Sequence, residues 1–451
     1  MARNAPKTQT TRLQTTRLQT FAPGSPGYAA STSPRNTSAD QAPALVLRPR
    51  SAEDVARAVT VARSRAARLS VQATGHGAAR PLGPETVLLD TAALATVRVQ
   101  AGTQVARIGA GTTWGPIQRE ASRYGLLGLA GTSPSVGVAG YTFGGGLGWF
   151  TRRHGLASGH LRAVRYVDGE GRIRTAADQA PDPLDREAIW AFRGGAPVGI
   201  AVELDLDLIR PGPMWAGHLL WPADVAEDLI GTWARSLPEL PETVTSTMAM
   251  LRLPPSGPFP NALLGTPAVH LSYAATGDQG PMLRLRDRLL AVAPPAADST
   301  GPADAERLGQ IHLDPPSPVA ARGGAAWLTG AAGNYAADLL LSARVGHAGG
   351  AAMAELRHVD SHAPVLDGAL TRPPGPYLFH VVGPGDATSL PATTAAIAHS
   401  LQVASSLDTG ADPLSFREAD PRVTALSPRL AAISAALDPN STFAFERLPH
   451  R

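Results

Sequence analysis

The spacing of apolar and polar residues alternates between strand-like and helix-like periods from about residue 43 onward. A short apolar run at Ala44–Leu47 is followed by Ser51, after which Val55 and Val59 fall on one face of a helix. Ser51 is a typical N-cap, and Asp54 stands in the capping-box position. A second helix is predicted over Thr113–Tyr124, and strands are predicted at Leu69–Ala73, Val87–Asp90, Val97–Gln100, Val105–Gly109, Ala163–Val167 and Val198–Leu208.

From about Gly212 the strand-like segments become longer and helical segments separate them. The predicted helices cover Ala223–Ser236 and Pro281–Val292. This pattern is typical of an antiparallel sheet with helices packed on one face. The predicted strands are Trp215–Trp221, Thr247–Leu253, Ala268–Ala274, Ala354–Val359 and Tyr377–Val382.

A chain of 451 residues is too long for one ordinary hydrophobic core, so we expect two or three domains. The strand-like and helix-like segments together predict an α+β fold. The polar N-terminus contains a direct repeat, Thr-Thr-Arg-Leu-Gln-Thr, and is predicted to be disordered. The expected boundaries are a tail over 1–20, a first unit over 21–211, a second unit over 212–421, and a C-terminal segment over 422–451 that packs back on the first unit.

The charge pattern argues against nucleic acid as a partner. The net charge is +3, Lys7 is the single lysine, and the arginines are spread among acidic residues without a basic stripe. The longest apolar runs are too short for a membrane span, and the N-terminus lacks the apolar core of a signal peptide. We therefore expect a cytoplasmic protein with no membrane partner.

The chain has no cysteine, which excludes disulfides, thiolate nucleophiles, Fe–S clusters and cysteine-based zinc sites. A Walker A loop, GxSxG and HExxH are absent, and Gly109–Trp114, the nearest stretch to GxGxxG, lacks the third glycine. The His358…His362 spacing would suit a metal only on a helix, and these residues fall in a strand-to-loop stretch. No metal site is predicted.

Two glycine-rich loops carry the candidate chemistry. Ala73–Gly77 and Gly131–Gly140 each place small residues on a turn, and the second continues into Gly144–Gly148. Consecutive backbone N–H groups in such turns can converge on an anion, so two loops on one domain could embrace a pyrophosphate. His76, within the first loop, could act as a nucleophile toward the bound group; the alternative is a structural histidine.

The chain resembles the FAD-linked oxidases of the vanillyl-alcohol oxidase superfamily, in particular the berberine-bridge-enzyme-like branch with its PCMH-type FAD-binding domain. The resemblance runs from about Phe21 to the C-terminus. The matching segments, in chain order, are Phe21–Gly24 with Tyr28, Arg48-Pro49, Gly75-His76, Gly109–Gly111, Gly131–Gly148, Arg153–Ala157, Trp190–Gly195 and Asp438–Phe443.

The resemblance implies a two-lobed FAD-binding domain and a substrate domain whose sheet covers the flavin. It also implies a covalent bond from His76 to FAD, with no cysteinyl link because Ser133 stands where many relatives have cysteine. Val136 stands where the family controls oxygen access, and a valine favours an oxidase. The implied FAD contacts are Ala73, Thr74, Gly75, His76, Gly77, Ala78, Thr132, Ser133, Val136, Gly137, Gly140, Gly145, Gly155, His160 and Ile200.

Three departures from the family pattern affect the site. Gly195–Gly199 is shorter than the family's segment, Gly159 replaces a common aspartate, and Pro413–Phe416 lacks the tyrosine that commonly serves as catalytic base. Tyr377 and His380 are candidate replacements. They are three residues apart in one predicted strand, so at most one can face the flavin.

The resemblance therefore predicts an FAD-dependent oxidoreductase, an oxidase using molecular oxygen, that takes a hydride from a small-molecule substrate and tailors a bacterial secondary metabolite. Loss of the tyrosine leaves two alternatives open. One is a flavin-containing cyclase without net redox chemistry, and the other is an inactive flavin-binding homologue. Substrate identity and oligomeric state are not predicted.

Overall fold

A computed structural model describes residues 18–419 and 425–445. Short 3-10 turns join many of the elements. The strands are β1 Gln19–Phe21, β2 Leu45–Arg48, β3 Arg68–Gln72, β4 Thr86–Asp90, β5 Val97–Gln100, β6 Val105–Gly109, β7 Leu161–Val167, β8 Ile173–Ala177, β9 Ile200–Asp207, β10 Met214–Pro222, β11 Val244–Arg252, β12 Pro267–Thr276, β13 Ala297–Asp298, β14 Gly301–Ala303, β15 Ala321–Leu328, β16 Met353–His358 and β17 Tyr377–Pro384.

The helices lie between these strands and after the last of them. None that the structure describes has both the length and the apolar character needed to cross a membrane. They are α1 Pro26–Ser31, α2 Ala52–Ser64, α3 Trp114–Ser122, α4 Val138–Phe143, α5 Thr151–His154, α6 Pro183–Phe192, α7 Ala226–Ser236, α8 Gly280–Leu290, α9 Ala305–Leu308, α10 Ala336–Ser342, α11 Leu390–Ala404 and α12 Pro428–Leu437.

Two sheets form the lobes of the N-terminal part. The first has the order β1-β2-β4-β3, with parallel pairing of β2, β4 and β3. The second has the order β5-β6-β9-β7-β8 and is antiparallel. Helix α2 begins as predicted, because the Ser51 side chain accepts a hydrogen bond from the Asp54 amide. A shared core joins the lobes, with Val55 of α2 packed near Val167 and Ile200 of the second sheet.

The third sheet is antiparallel and has the order β13-β10-β12-β11-β16-β17-β15, with β14 also paired to β10. Helices α7, α8, α10 and α11 cover one face and enclose the largest apolar core, which includes Trp221, Trp233 and Phe379. The opposite face lies against the two lobes. The predicted α+β architecture, with a two-lobed unit and a helix-covered antiparallel sheet, is confirmed.

Both ends of the described chain lie on the first lobe. Strand β1 pairs with β2, so Gln19 and Thr20, which were predicted to be disordered, are in a strand. The rest of the predicted tail, residues 1–17, lies outside the described residues. At the other end α12 packs on α6, and the backbone of Leu69 in β3 exchanges hydrogen bonds with Thr442 and Ala444.

Most predicted elements exist with ends shifted by a few residues, but the region before the C-terminus was predicted incompletely. Strand β15 and helices α10 and α11 were not predicted. Helix α11 is rich in alanine and threonine and its apolar positions do not form a sharp stripe, so periodicity gave little signal.

A segment over residues 363–372, which we call the strap, ties the third sheet to the second lobe. The amide of Leu366 donates to Gly159 O at 3.0 Å, and the amide of Leu370 donates to Arg193 O at 3.0 Å. The approach is so close that a Cβ on Gly194, whose φ is +85°, would overlap the carbonyl oxygen of Leu370. Glycine is therefore required at this contact.

Replacing Gly194 with alanine should weaken the strap. The positive φ alone costs about 1 kcal/mol, and the overlap with Leu370 adds roughly 1–3 kcal/mol. Gly277→Ala is a matched control, since its φ is +77° and no atom lies within 4 Å of its added Cβ. Urea denaturation should show a larger loss of unfolding free energy for Gly194→Ala; equal losses would contradict a steric role for the strap contact.

Candidate functional site

The loop after β3 is held in place through its carbonyl oxygens, which leaves its backbone N–H groups available. The amides of Arg35 and Asn36 donate to the carbonyl oxygens of Thr74 and Gly75 at 2.9 and 3.1 Å. The amides of residues 74–77 donate to no acceptor within the described part of the chain. Gly75 has a φ of +70°, and a Cβ there would overlap Pro34. The loop therefore exposes consecutive donors in a conformation that glycine permits.

The second glycine-rich loop lies directly beside the first. A Cβ added to Gly137 would lie 3.5 Å from both the Ala73 Cβ and the Thr74 Oγ1. The loop is anchored to the start of α3, because the Trp114 amide donates to Val136 O at 3.1 Å. Within the described residues, the amides of Thr132, Ser133 and Ser135 have no acceptor.

These two loops fit a pyrophosphate-bearing cofactor. Amides with no protein acceptor carry a hydrogen-bonding demand that an anion can meet, and glycines allow its close approach. FAD is the cofactor that the resemblance implies. The residues positioned to hold its pyrophosphate are those whose amides lack acceptors, which are residues 74–77 together with Thr132, Ser133 and Ser135.

His76 is oriented by hydroxyl groups of the second loop. Its Nε2 lies 3.1 Å from the Ser135 Oγ, which lies 2.9 Å from the Ser133 Oγ. Burial, followed by the positive charge of Arg35, lowers the pKa of His76 to about 4. The imidazole is therefore neutral near pH 7 and keeps a lone pair for nucleophilic attack.

Some of the other residues predicted to contact FAD lie in or next to the two loops, and the rest lie outside them. Ala78 is buried, Val136 is half-buried, and Gly140 lies in α4 with open space beside its Cα. Ile200 lies instead in the core between the two lobes. The structure thus brings together residues 73–78 and 132–140, while Ile200 lies within packed apolar side chains.

Gly145, Gly155 and His160 lie close to the strap. A Cβ added to Gly145 would lie 3.3 Å from the Leu370 side chain, and the backbone of Gly155 has a φ of +77°. His160 Nε2 lies 2.7 Å from the carbonyl oxygen of His154. These three positions therefore lie where the lobe meets the strap.

The face of the third sheet that meets the lobes is unusually polar. One row across it contains His270, Ala249, Glu355 and His380 on adjacent strands. Tyr377 lies on the opposite, helix-covered face, in the large apolar core. Of the two predicted candidates for the base, His380 is therefore the one on the face toward the lobes.

His358 and His362 lie where a strand ends and a loop begins, as predicted. His358 ends β16, where it is buried and stacks on Tyr377 with 5.5 Å between ring centroids. The His362 side chain is 89 % exposed. Among the described residues no group of three or more His, Asp or Glu side chains is arranged to hold a metal ion.

A cluster of charged side chains surrounds Glu355, which is fully buried. Its carboxylate lies 2.9 Å from His312 Nε2, 2.9 Å from His380 Nδ1 and 2.7 Å from Arg357 Nη2. Each histidine has a second carboxylate: Asp314 lies 3.0 Å from His312 Nδ1, and Glu418 lies 3.0 Å from His380 Nε2. We call these six residues the Glu355 cluster.

The neighbouring carboxylates determine the charge of both cluster histidines. Burial alone would lower the pKa of His312, but Asp314 and Glu355 outweigh it and raise the pKa to about 9. Burial would also lower the pKa of His380, but Glu418 and Glu355 outweigh it and raise that pKa to about 9. Near pH 7 the cluster holds three cations and three carboxylates, so its charges balance.

The cluster adjoins both glycine-rich loops. Burial would raise the pKa of Asp314, but His312 and the neighbouring Thr132 hydroxyl hold it at about 2. Ser415 donates to Gly144 O at 3.0 Å, and the Phe416 ring lies 5.4 Å from that of His380. The segment that lacks the expected tyrosine therefore packs against the cluster.

Of the six residues of the Glu355 cluster, only His380 was predicted from the sequence as a site residue. Glu355 and Arg357 alternate with apolar residues in β16, a period-two signal that could have marked a polar sheet face. His312, Asp314 and Glu418 lie outside regular strands and helices, and their meeting depends on tertiary packing that local patterns do not encode.

Comparison with known proteins supports the cofactor assignment. The family model described as "FAD binding domain" matches residues 43–177. The (R)-6-hydroxynicotine oxidase of Paenarthrobacter nicotinovorans is 32 % identical over 193 residues, which is 42 % of this chain and 41 % of that protein. Berberine bridge enzyme-like 23 of Arabidopsis thaliana is 30 % identical over 178 residues, 38 % and 33 % of the two chains. The matches thus span less than half of these relatives.

Solved structures extend the likeness of the fold to nearly the whole chain. The 6-hydroxy-D-nicotine oxidase from Arthrobacter nicotinovorans superimposes with a TM-score of 0.79 at 22 % identity, covering 96 % of this chain and 98 % of that one. Berberine-bridge-enzyme-like 1 of Physcomitrella patens gives 0.79 at 19 % identity, covering 96 % and 97 %. The resemblance to berberine-bridge-enzyme-like proteins is therefore confirmed by sequence for the FAD-binding part and by fold for the rest of the chain.

We expect the stability of the protein to peak near pH 6.5. The folded-state pKa values of His312 and His380 lie above the unfolded value of about 6.5, so their contribution is complete below that pH. It is lost as the pH rises through about 9, on the order of 3 kcal/mol for each group. Buried neutral histidines such as His270 and His358, with pKa values near 3, have the opposite effect and destabilise the fold below pH 6.5.

Thermal unfolding measured between pH 5 and pH 10 tests this expectation. The melting temperature should fall on both sides of a maximum near pH 6.5. A melting temperature that stays constant from pH 6.5 to pH 9 would contradict the charge assignment of the Glu355 cluster.

Proposed function

We propose that this chain, whose residues 43–177 match an FAD-binding domain and whose fold is that of the berberine-bridge-enzyme-like flavoproteins, is an FAD-dependent oxidoreductase that takes a hydride from a small organic substrate. The observation that supports the proposal most directly is the charge state and position of the His76 side chain. A neutral, hydroxyl-oriented imidazole stands within a loop whose amides have no acceptor in the described chain.

The residues around the site have separable roles in this proposal. When bound, FAD supplies an acceptor for the hydride of a substrate C–H bond. The amides of residues 74–77 and of Thr132, Ser133 and Ser135 hold the pyrophosphate, and the polar face of the third sheet covers the substrate. An alcohol or amine must also lose a proton, and the Glu355 cluster is the set of ionisable groups on that face, with His380 among its members.

A covalent bond between His76 and FAD is part of the proposal. Ser133 Oγ lies 2.9 Å from Ser135 Oγ, so the position of the expected cysteine instead supports the hydroxyl that orients His76. Because the whole chain lacks cysteine, His76 would be the single point of attachment. Molecular oxygen is the proposed electron acceptor, with Val136 at the position that admits it.

The substrate class is proposed from the relatives and tested by flavin reduction. The relatives and structural neighbours include proteins named for 6-hydroxynicotine, glucose and chitooligosaccharides, and we propose tailoring of a bacterial secondary metabolite by the same type of oxidation. Anaerobic mixing of the holoenzyme with both enantiomers of 6-hydroxynicotine, glucose and chitooligosaccharides should bleach the flavin band with at least one of them. Admitting air should then restore the band if oxygen is the acceptor.

The same panel distinguishes the alternatives. A product formed without bleaching would indicate a cyclase that leaves the flavin oxidised. Neither bleaching nor product with any compound would favour an inactive flavin-binding homologue.

Replacing His76 with alanine should release the flavin from covalent attachment. Wild-type protein precipitated with acid should keep its yellow colour, whereas the flavin of His76→Ala should remain in the supernatant, because no other residue of the first loop offers a nucleophilic nitrogen. His347→Ala, at an exposed histidine, is the matched control and should behave as wild type. Flavin retained in precipitated His76→Ala would contradict the assignment.

A further inference from the structure

The Glu355 cluster has two arms of the same composition. In each arm a histidine, 5 or 6 % exposed, bridges Glu355 to an outer carboxylate, and the outer carboxylates are the more exposed members. The side chain of Asp314 is 29 % exposed and that of Glu418 is 24 % exposed. A proton could therefore enter the cluster at either outer carboxylate.

The surroundings of the two arms differ in a way that favours Asp314. One oxygen of its carboxylate, Oδ1, lies 3.0 Å from His312 Nδ1, while the buried Oδ2 makes no hydrogen bond of good geometry within the described residues. Besides His312, the Thr132 hydroxyl is the protein donor that lowers the pKa of this carboxyl. Asp314 also neighbours Thr132 of the second glycine-rich loop and acts electrostatically on His76. The hydrogen-bonding capacity of Oδ2 is thus incompletely used, and its position beside the cofactor loops points to a donor on a bound ligand.

We propose that Asp314 accepts the proton that the substrate loses, and that His312 and Glu355 are positioning residues that set its basicity. The inference rests on the proposed function and adds to it the residue that replaces the absent tyrosine. His380 and Glu418 then form the second arm, which balances the charge of Glu355 and does not receive the substrate proton.

The proposed step balances in atoms and charge. The substrate H–C–X–H, with X an oxygen or nitrogen, loses its C–H electron pair and hydrogen as hydride to the bound flavin. The X–H bond breaks, its electron pair forms the C=X double bond, and the proton binds Oδ2 of Asp314, which becomes a carboxylic acid. His312 donates to Oδ1 before and after the transfer, so the carboxyl group keeps its orientation.

The charge of His312 controls how readily Asp314 takes the proton. The groups facing His312 are Asp314 on its own segment, Glu355 and Arg357 of β16, and His270 of β12, with 6.5 Å between the two imidazole centroids. His76 faces Asp314 from the first loop.

A cationic His312 stabilises the Asp314 carboxylate and weakens it as a base. Loss of that charge near pH 9 should therefore speed proton transfer.

Flavin reduction across pH gives the first test, with whichever compound of the substrate panel bleaches the wild-type flavin. The wild-type rate constant should rise with pH to an inflection near pH 9. Asp314→Asn should lower the rate constant by about a hundredfold or more at every pH while the flavin stays attached. Glu355→Gln should move the inflection down by about one pH unit, a tenfold loss of proton affinity, because His312 loses one of its two carboxylates.

Glu418→Gln is the matched control, since it makes the same carboxylate-to-amide change on the other arm. It should leave the inflection at its wild-type pH. A purely structural role for the cluster would predict loss of stability in all three variants without the shift specific to Glu355→Gln.

Imidazole titration by NMR gives a second readout that needs no substrate. In 15N-labelled holoenzyme, the His312 signal, identified by its loss in His312→Gln, should titrate near pH 9. Its midpoint should fall by at least one unit in Asp314→Asn and in Glu355→Gln, but not in Glu418→Gln.

The outcomes separate the inference from the proposed function. If no panel compound reduces the wild-type flavin, the proposed function fails and the inference fails with it. If the wild type is reduced but Asp314→Asn is reduced equally fast, or the Glu355→Gln inflection does not move, the inference alone is overturned. An unshifted His312 midpoint in Asp314→Asn and Glu355→Gln would overturn it as well.

Discussion

The burial of one carboxylate determines how the sheet and the cofactor loops fit together. Glu355 is fully buried in a β-strand and contacts His312, His380 and Arg357. An unpaired carboxylate at such a position would cost several kcal/mol, so these donors are required for the strand to occupy its place. Two of these donors, His312 and His380, also contact the carboxylates of Asp314 and Glu418 beside the glycine-rich loops. The ionic cluster therefore fixes the polar face of the third sheet opposite the place where a flavin would bind.

Histidines in this site are held in two opposite charge states by burial and by neighbouring charges. Burial, and then the positive charge of Arg35, keeps His76 neutral, which suits a nucleophile. His312 and His380 each lie between two carboxylates and are cationic. One side chain type thus occurs both as a neutral imidazole and as a balancing cation, and the difference comes from whether burial or ion pairing dominates.

Sequence patterns predicted the features that depend only on residues close together in the chain. The Ser51 cap, the strand periods and the glycine turns around His76 depend on neighbours in sequence, and they are present in the structure. The Glu355 cluster depends on strand register and on two irregular segments meeting across the sheet, which no short stretch of sequence encodes. For Tyr377 and His380 the prediction from sequence was partly sufficient. Strand alternation placed them on opposite faces, but the faces could be assigned only from packing.

The return of the C-terminus to the first lobe has a consequence for how the protein matures. Leu69 exchanges backbone hydrogen bonds with Thr442 and Ala444, and the Gly169 amide donates to Leu437 O. Strand β3 of the lobe that carries His76 therefore gains its neighbour at this edge only once residues near position 443 have been synthesised. A product truncated before these residues would leave the β3 edge unpaired, and unpaired strand edges promote aggregation.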